Sequence, residues 1–137
     1  MEPTMLNVLP GYALRRAANA MMAELSLRLA AIDLRLTEAT ILLLVDSRSD
    51  LTASDIGKIL DIQRANMVPV LGRLEAAGLI SRLPLDRKSL AIVLTQAGHV
   101  VRAKTVVITD TFERHLLEKI APEHRDHLVP ALNALYL

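Results

Sequence analysis

Apolar residues recur through the first part of the 137-residue chain at the spacing of an α-helix. After a start signal at Pro10, their pattern predicts a helix from about residue 12 to residue 30. Its apolar stripe consists of Leu14, Ala18, Met21 and Leu25. A second helix is expected to begin with Thr37 as its cap, and its middle, Ile41 to Val45, is apolar on every side. Such a helix is normally buried all round, so we place it at the centre of the fold.

Capping and turn residues divide the middle of the chain into two shorter helices. Thr52 and Asp55 have the spacing of a capping box, and Gly57 behind them indicates close approach by a crossing helix. The buried face of this helix is expected to carry Ile56, Ile59 and Leu60. The next helix is predicted from about residue 64 to residue 77, and it ends at Gly78, which readily adopts the left-handed conformation. Its buried face is expected to carry Met67, Val70, Leu71 and Leu74.

The pattern after Gly78 predicts a ribbon followed by two helices. Strand-like runs at residues 79–84 and 90–94 flank the charged segment 85–89. Thr95 then caps a long helix that extends to about residue 119. The apolar stripe of that helix consists of Val100, Val101, Val107, Ile108, Phe112 and Leu116. Pro122, at a first helical position, is expected to open a last helix that buries Leu128, Leu132 and Leu135.

This order of elements is that of a winged helix-turn-helix, a mainly α fold with a small β-wing. We expect a single domain over residues 1–137, with the winged helix-turn-helix at residues 37–95. The flanking segments, residues 10–35 and 96–137, present more apolar helix face than one small monomer readily buries, so they are expected to be dimerisation helices. A twofold protein predicts a palindromic site with half-sites about one helical turn, ~10 bp, apart.

The composition restricts the chemistry that the chain can perform. It contains no cysteine, which excludes disulfides, thiolate ligands and thiol nucleophiles. No apolar run approaches the ~20 residues of a membrane span, and the N-terminus lacks an export signal, so we expect an intracellular protein. The net charge is only +1, but residues 58–104 carry eight basic and three acidic side chains. This local charge of +5 is typical of a nucleic-acid-binding face.

The helix that follows Gln63 has the side chains that base recognition requires. The residues predicted to project away from its buried face are Arg64, Ala65, Asn66, Pro69 and Arg73. Arginine can pair bidentately with guanine, and asparagine with adenine. An amphipathic helix whose polar face is merely solvated has the same composition and remains the alternative.

Several segments, in this order and spacing, resemble the MarR family of bacterial transcription regulators. They are Leu36-Thr37-Glu38, Ile56 to Leu60, Arg64 to Val68, Leu74 to Ile80, Asp86-Arg87-Lys88 and Val93 to Gly98. The resemblance covers about residues 10 to 137. It implies a ligand-responsive repressor in the bacterial cytoplasm that binds double-stranded DNA as a homodimer.

The resemblance also implies which residues contact DNA. The recognition-helix contacts fall on Gln63, Arg64, Asn66, Pro69 and Arg73. The wing positions fall on Asp86, Arg87 and Lys88, where the family's pattern of aspartate, any residue and arginine has lysine in the last place. Either Arg87 or Lys88 is therefore expected to make the minor-groove contact. Asp86 is expected to orient the wing tip by pairing with a nearby arginine.

Members of the family commonly bind an anionic small molecule between the dimer helices and the winged domain. The candidate ligand-binding residues here are Tyr12, Arg15, Arg16 and Asn19, with Met22 and Ile41 as apolar walls. A cationic side chain beside apolar surface suits an aromatic carboxylate or an acyl thioester. The alternative is that the two arginines form solvated or intersubunit ion pairs.

Other functions have weaker support in the sequence. The glycines form no phosphate-binding loop and no serine lies in a nucleophile elbow, so we expect neither enzymatic activity nor a cofactor. His115, His124 and His127 could share a metal with neighbouring carboxylates, although a solvated surface helix has the same composition. The other alternative is a winged helix that only dimerises or binds a protein. Such a module lacks duplex affinity even at low salt, whereas a DNA binder loses affinity steeply as salt rises.

Overall fold

The computed structural model describes residues 4–137, which form six α-helices and one two-stranded antiparallel ribbon. The elements in chain order are α1 (Pro10–Ala30), α2 (Leu36–Ser47), α3 (Ala53–Leu60), α4 (Arg64–Ala76), β1 (Ile80–Pro84), β2 (Leu90–Leu94), α5 (Gln96–Glu118) and α6 (Arg125–Asn133). Short 3-10 turns lie at Met5–Val8 and Pro122–His124. Within these described residues, none of the helices has the length and apolar character of a membrane span.

Helix α2 lies at the centre of the fold because it is apolar on every side. It packs against α1, α4, α5 and β2. Ile41 and Leu42 are completely buried, and Phe112 of α5 is buried in the same core. Burying each such side chain contributes about 1.5–3 kcal/mol to folding. The prediction of a central α2 is confirmed, but Thr37 is not its cap, because the helix begins one residue earlier and has no side-chain cap.

The start of α3 confirms the predicted capping box. Thr52 Oγ1 accepts a hydrogen bond from the Asp55 amide at 3.1 Å, and Asp55 Oδ2 accepts one from the Thr52 amide at 3.0 Å. The Thr52 backbone amide and then its hydroxyl lower the pKa of Asp55 below its ordinary value. This stabilisation is therefore present at neutral pH and is lost as the pH falls through that lowered pKa.

The buried face of α3 is rotated from the predicted one. Ile56 and Gly57 are buried, whereas Ile59 is 49% exposed because it lies at the edge of that face. A Cβ at Gly57 would lie 2.9 Å from the Ile62 carbonyl oxygen and 3.5 Å from Met67 Cγ. The close approach is therefore made first by the turn after α3 and only second by the crossing helix α4.

Gly78 ends the α4 segment as predicted, with a left-handed φ of 74°. The chain then enters the ribbon, in which Ile80 pairs with Leu94 and Pro84 with Leu90. The Ile92 amide donates a 2.8 Å hydrogen bond to the Leu51 carbonyl oxygen. This bond fastens the connection between α2 and α3 to the edge of β2.

In the single chain, several apolar side chains of the terminal helices are exposed to solvent. Val100 and Val107, which belong to the predicted apolar stripe of α5, are 55% and 65% exposed. Leu132 and Leu135 are also exposed, so their predicted burial is wrong for one protomer, and Leu14 of α1 is exposed as well. Pro122 opens a 3-10 turn that leads into α6 rather than opening α6 itself. These helices therefore carry an apolar surface that the chain alone does not cover.

Candidate nucleic-acid interface

Helix α4 has one buried side and one open side. Met67, Leu71 and Leu74 are buried in the core and hold the helix in place. The open side carries Arg64, Ala65, Asn66 and Pro69, all of which are exposed. The prediction that these four residues project away from the core is confirmed, and their contact with DNA stays a prediction.

The N-cap side chain of α4 makes no hydrogen bond to the helix. Gln63 is the N-cap residue, is exposed, and makes no side-chain capping bond. Pro69 lies inside the helix, which continues through it to Ala76. Val68 is 64% exposed and was not among the predicted contacts. Its helical position gave only a weak signal, because at 100° per residue it lies at the border between the buried stripe and the open side.

Arg73 differs from the other predicted contacts because it is half-buried and paired. Its Nη2 donates a 3.0 Å hydrogen bond to Oε1 of Glu38 in the first turn of α2. Sequence reasoning missed this partner, since the two residues are 35 positions apart and no local pattern connects them.

The wing tip is built around Asp86. Its Oδ1 accepts hydrogen bonds from the Lys88 amide at 2.8 Å and the Ser89 amide at 2.9 Å. These amides, Lys88 first, lower the pKa of the Asp86 carboxyl. The expected pairing with an arginine is wrong, because main-chain donors within the tip satisfy the carboxylate. Asp86 still orients the tip, and the side chains of Arg87 and Lys88 are exposed on it.

A cationic groove of about 630 Å³ runs beside α4. Three basic residues from three elements line it, Lys58 of α3, Arg64 of α4 and Arg82 of β1, together with one acidic residue, Asp61. Arg82 also contacts Glu75 of α4 at 2.9 Å, which ties the ribbon to the helix. Positive charge collected along a groove attracts the phosphate backbone of a nucleic acid.

The predicted ligand-binding residues are only partly brought together. Arg16 Nη1 donates a 3.0 Å hydrogen bond to the Tyr12 hydroxyl, and the Arg15 guanidinium lies 5.5 Å from the centre of the Tyr12 ring. Asn19 and Met22 are exposed further along α1. Ile41 is completely buried in the core and does not line the cavity beside Tyr12.

The histidines considered as metal ligands lie in different surroundings. His115 of α5 faces Arg28 of α1, with Nδ1 3.3 Å from Nη2. His124 ends a 3-10 turn, and His127 lies in α6. In the part of the chain that the structure describes, no three histidine or carboxylate side chains are grouped to hold a metal ion.

The protein has the elements of a winged helix-turn-helix: a short capped helix, a tight turn, a helix with an open polar side and an adjoining basic ribbon. Proteins of this class place the second of these helices in the major groove of duplex DNA. A family model described as the MarR family matches residues 34–90. The chain belongs to the MarR family of transcription regulators.

Solved structures agree with this assignment. The chain is 31% identical to the transcriptional repressor CouR bound to a 23-mer DNA duplex, with 100% of both chains covered and a TM-score of 0.91. The MepR–DNA complex of Staphylococcus aureus has the same fold, with 22% identity, 93% and 95% coverage and a TM-score of 0.83. MarR from E. coli matches at 16% identity, 95% and 98% coverage and a TM-score of 0.78. Comparison with curated proteins gives no match.

Proposed function

We propose that the protein is a repressor that binds a palindromic operator as a homodimer and is released by a small anionic effector. The observation that carries the proposal is the open side of α4 beside a basic wing, in a chain 31% identical over its whole length to the DNA-bound repressor CouR. Residues 1–137 act as one domain in the bacterial cytoplasm, with residues 37–95 reading DNA and residues 10–35 and 96–137 forming the dimer. We propose neither an enzymatic activity nor a cofactor for it.

The uncovered apolar surface supports the homodimer. Large apolar side chains are exposed on α1, α5, α6 and both ends of the described chain. They include Leu9, Leu14, Val107, Leu117, Leu132 and Leu135. An exposed apolar patch usually marks an interaction site rather than a face in contact with water, and we infer that these side chains form such a patch. A second copy of the chain would cover it and place two α4 helices in successive major grooves.

The open side of α4 supports a division of roles in DNA reading. Arg64 and Asn66 lie in its first turn, where recognition helices contact base edges. Gln63 and Pro69 flank them, and Arg73, about two turns further along α4, would lie at the edge of the DNA major groove. The wing supplies Arg87 and Lys88 to the minor groove. Each bidentate base contact contributes about 1–3 kcal/mol of discrimination.

Footprinting of the purified protein on DNA flanking its own coding region tests the operator proposal. We expect a symmetrical footprint with half-sites ~10 bp apart. Asn66→Ala should retain binding but lose about 1–3 kcal/mol of discrimination between the operator and operators with single base-pair changes. Competition binding with those duplexes measures the loss. Unchanged discrimination would show that Asn66 does not contact bases. If the protein bound no duplex even at low salt, the proposed function would be wrong.

The Tyr12 region supports an anionic effector with aromatic or acyl character. A cavity of about 380 Å³ lies there, lined by Thr4, Leu6, Asn7, Tyr12, Ala13 and Arg16. Two guanidinium groups lie within 6 Å of the Tyr12 ring, so cationic and aromatic surfaces are adjacent. Asn19, Met22 and Ile41 would join the site only with a rearrangement or a partner chain. CouR, 29% identical to this chain, has been solved with p-coumaroyl-CoA.

An aromatic acyl-CoA thioester is therefore the first effector to test. We expect p-coumaroyl-CoA to release the wild-type protein from its operator, as measured by fluorescence anisotropy. Arg15→Ala and Arg16→Ala should each require at least about tenfold more effector, which corresponds to the loss of one charge-assisted contact. Arg48→Ala, which removes an exposed arginine paired with Asp50, serves as the control. Arginine variants that respond to every active effector like wild type would exclude this site.

A further inference from the structure

A buried carboxylate lies directly behind the recognition helix. Glu38, in the first turn of α2, keeps only 10% of its side chain exposed. Arg73 Nη2 of α4 lies 3.0 Å from Glu38 Oε1, and Arg35 Nε lies 4.0 Å from the same oxygen. One buried oxygen therefore faces two guanidinium groups that come from different helical segments.

The two arginines remain open toward solvent. The side chain of Arg35 is 72% exposed and that of Arg73 is 40% exposed. Arg73 Nε is buried without a hydrogen-bond partner, so its bond to Glu38 is what orients the guanidinium group. Burying a carboxylate is costly unless it is paired. The cluster of two arginines and one glutamate nevertheless retains a net positive charge on its outer side.

The position of Arg73 along α4 indicates what this positive surface meets. Arg73 follows Asn66 by seven residues, which is close to two full turns, so both lie on the same edge of the helix. When the first turn of α4 inserts into a major groove, Asn66 lies nearest the bases, and Arg73, about 10 Å further along the same edge, lies at the level of the phosphate ridge beside the groove. Arginine contacts to phosphates fix the register of a protein on DNA without reading sequence.

We propose that Arg35 and Arg73 bind DNA phosphates at the edge of the major groove, and that Glu38 is the positioning residue that holds both guanidinium groups there. The inference rests on the proposed function and deepens it. It assigns Arg73 to the backbone rather than to bases, adds Arg35 as a contact, and gives the buried carboxylate a role in DNA binding.

Salt titrations of Arg35→Gln and Arg73→Gln test the phosphate contacts. For a dimer, each variant should lower the slope of log K against log salt by about two and weaken binding about 30-fold at 0.15 M salt. Operator and scrambled duplexes should be affected equally, because phosphate contacts carry no sequence information. Arg102→Gln is a matched control, because Arg102 pairs with Asp46, another α2 carboxylate, at 2.9 Å and also has a buried, unpartnered Nε.

These titrations separate failure of the inference from failure of the proposed function. If wild type binds DNA and both variants keep the slope of the Arg102→Gln protein, the phosphate assignment is wrong. A larger loss on the operator than on the scrambled duplex would instead assign the arginines to bases. If wild type binds no duplex, the proposed function itself fails.

Glu38 variants test the positioning role. Glu38→Gln keeps an acceptor oxygen and should bind DNA close to wild type. Glu38→Ala should bind about tenfold more weakly, because long side chains must then be ordered on binding. In the Arg35→Gln/Arg73→Gln background, Glu38→Ala should have no further effect. An equal loss in that background would mean that Glu38 acts only through the fold, and binding as tight as or tighter than wild type would show that it merely repels DNA.

Discussion

Replacing Gly98 with alanine is expected to destabilise the protein by about 3 kcal/mol or more, beyond the usual cost of overpacking a core. A Cβ at this position would overlap the Leu79 carbonyl oxygen and lie 3.0 Å from the Leu79 carbonyl carbon. That carbonyl cannot easily move, because its oxygen accepts a 3.1 Å hydrogen bond from the Thr95 amide. The Thr95 hydroxyl also donates to the Gly78 carbonyl oxygen at 2.6 Å. Urea denaturation followed by circular dichroism measures the loss.

Gly72 provides a matched control for this substitution. It also lies inside a helix, but a Cβ there would meet nothing within 4 Å. Gly72→Ala should therefore raise stability by up to about 1 kcal/mol, the difference in helix propensity between the two residues. If Gly98→Ala unfolded within about 1 kcal/mol of wild type, the close contact between α5 and the start of the ribbon would be wrong.

Removing both positive charges of the wing tip is expected to weaken DNA binding about 10³-fold at 0.15 M salt. In a dimer, Arg87→Ala/Lys88→Ala removes four charges, and each phosphate neutralised contributes a salt slope of about 0.9. Because these side chains are exposed at the tip, thermal stability should change little. Anisotropy titrations from low to moderate salt measure both affinity and slope, on operator and unrelated duplexes alike.

A single exposed arginine on another element serves as the control for the wing. Arg114→Ala should leave both affinity and slope unchanged, because Arg114 is exposed on α5, outside the segment 37–95 that is proposed to read DNA. Binding of the wing variant at wild-type strength would show that the ribbon tip does not reach DNA. The single variants Arg87→Ala and Lys88→Ala then identify which residue makes the larger contribution.

The sequence predicts best those features that depend on neighbouring residues. The Thr52–Asp55 capping box forms between residues three positions apart, and Gly78 ends its segment through its own backbone conformation. The order of helices and the ribbon follow from local periodicity in the same way. The exposed side of α4 was predictable because its buried stripe repeats at helical spacing.

Features that depend on distant residues were not predictable. Glu38 reaches Arg73 across 35 residues. Val107 belongs to an apolar stripe, but the pattern does not say whether the same chain or another covers it. In each case the missing information is the packing of one element on another.

The hydrogen bond between Ile92 and Leu51 constrains how any regulation could operate. It joins the ribbon to the segment that leads into α3, so the wing and the helix-turn-helix should travel together as one rigid unit. An effector that distorted one winged helix-turn-helix would therefore change DNA binding little. An effector would instead change the separation and tilt of the two intact winged helix-turn-helix units of the dimer. A modest rotation at the far end of the long helices would suffice, because the spacing of the two units would then no longer match the helical pitch of the duplex.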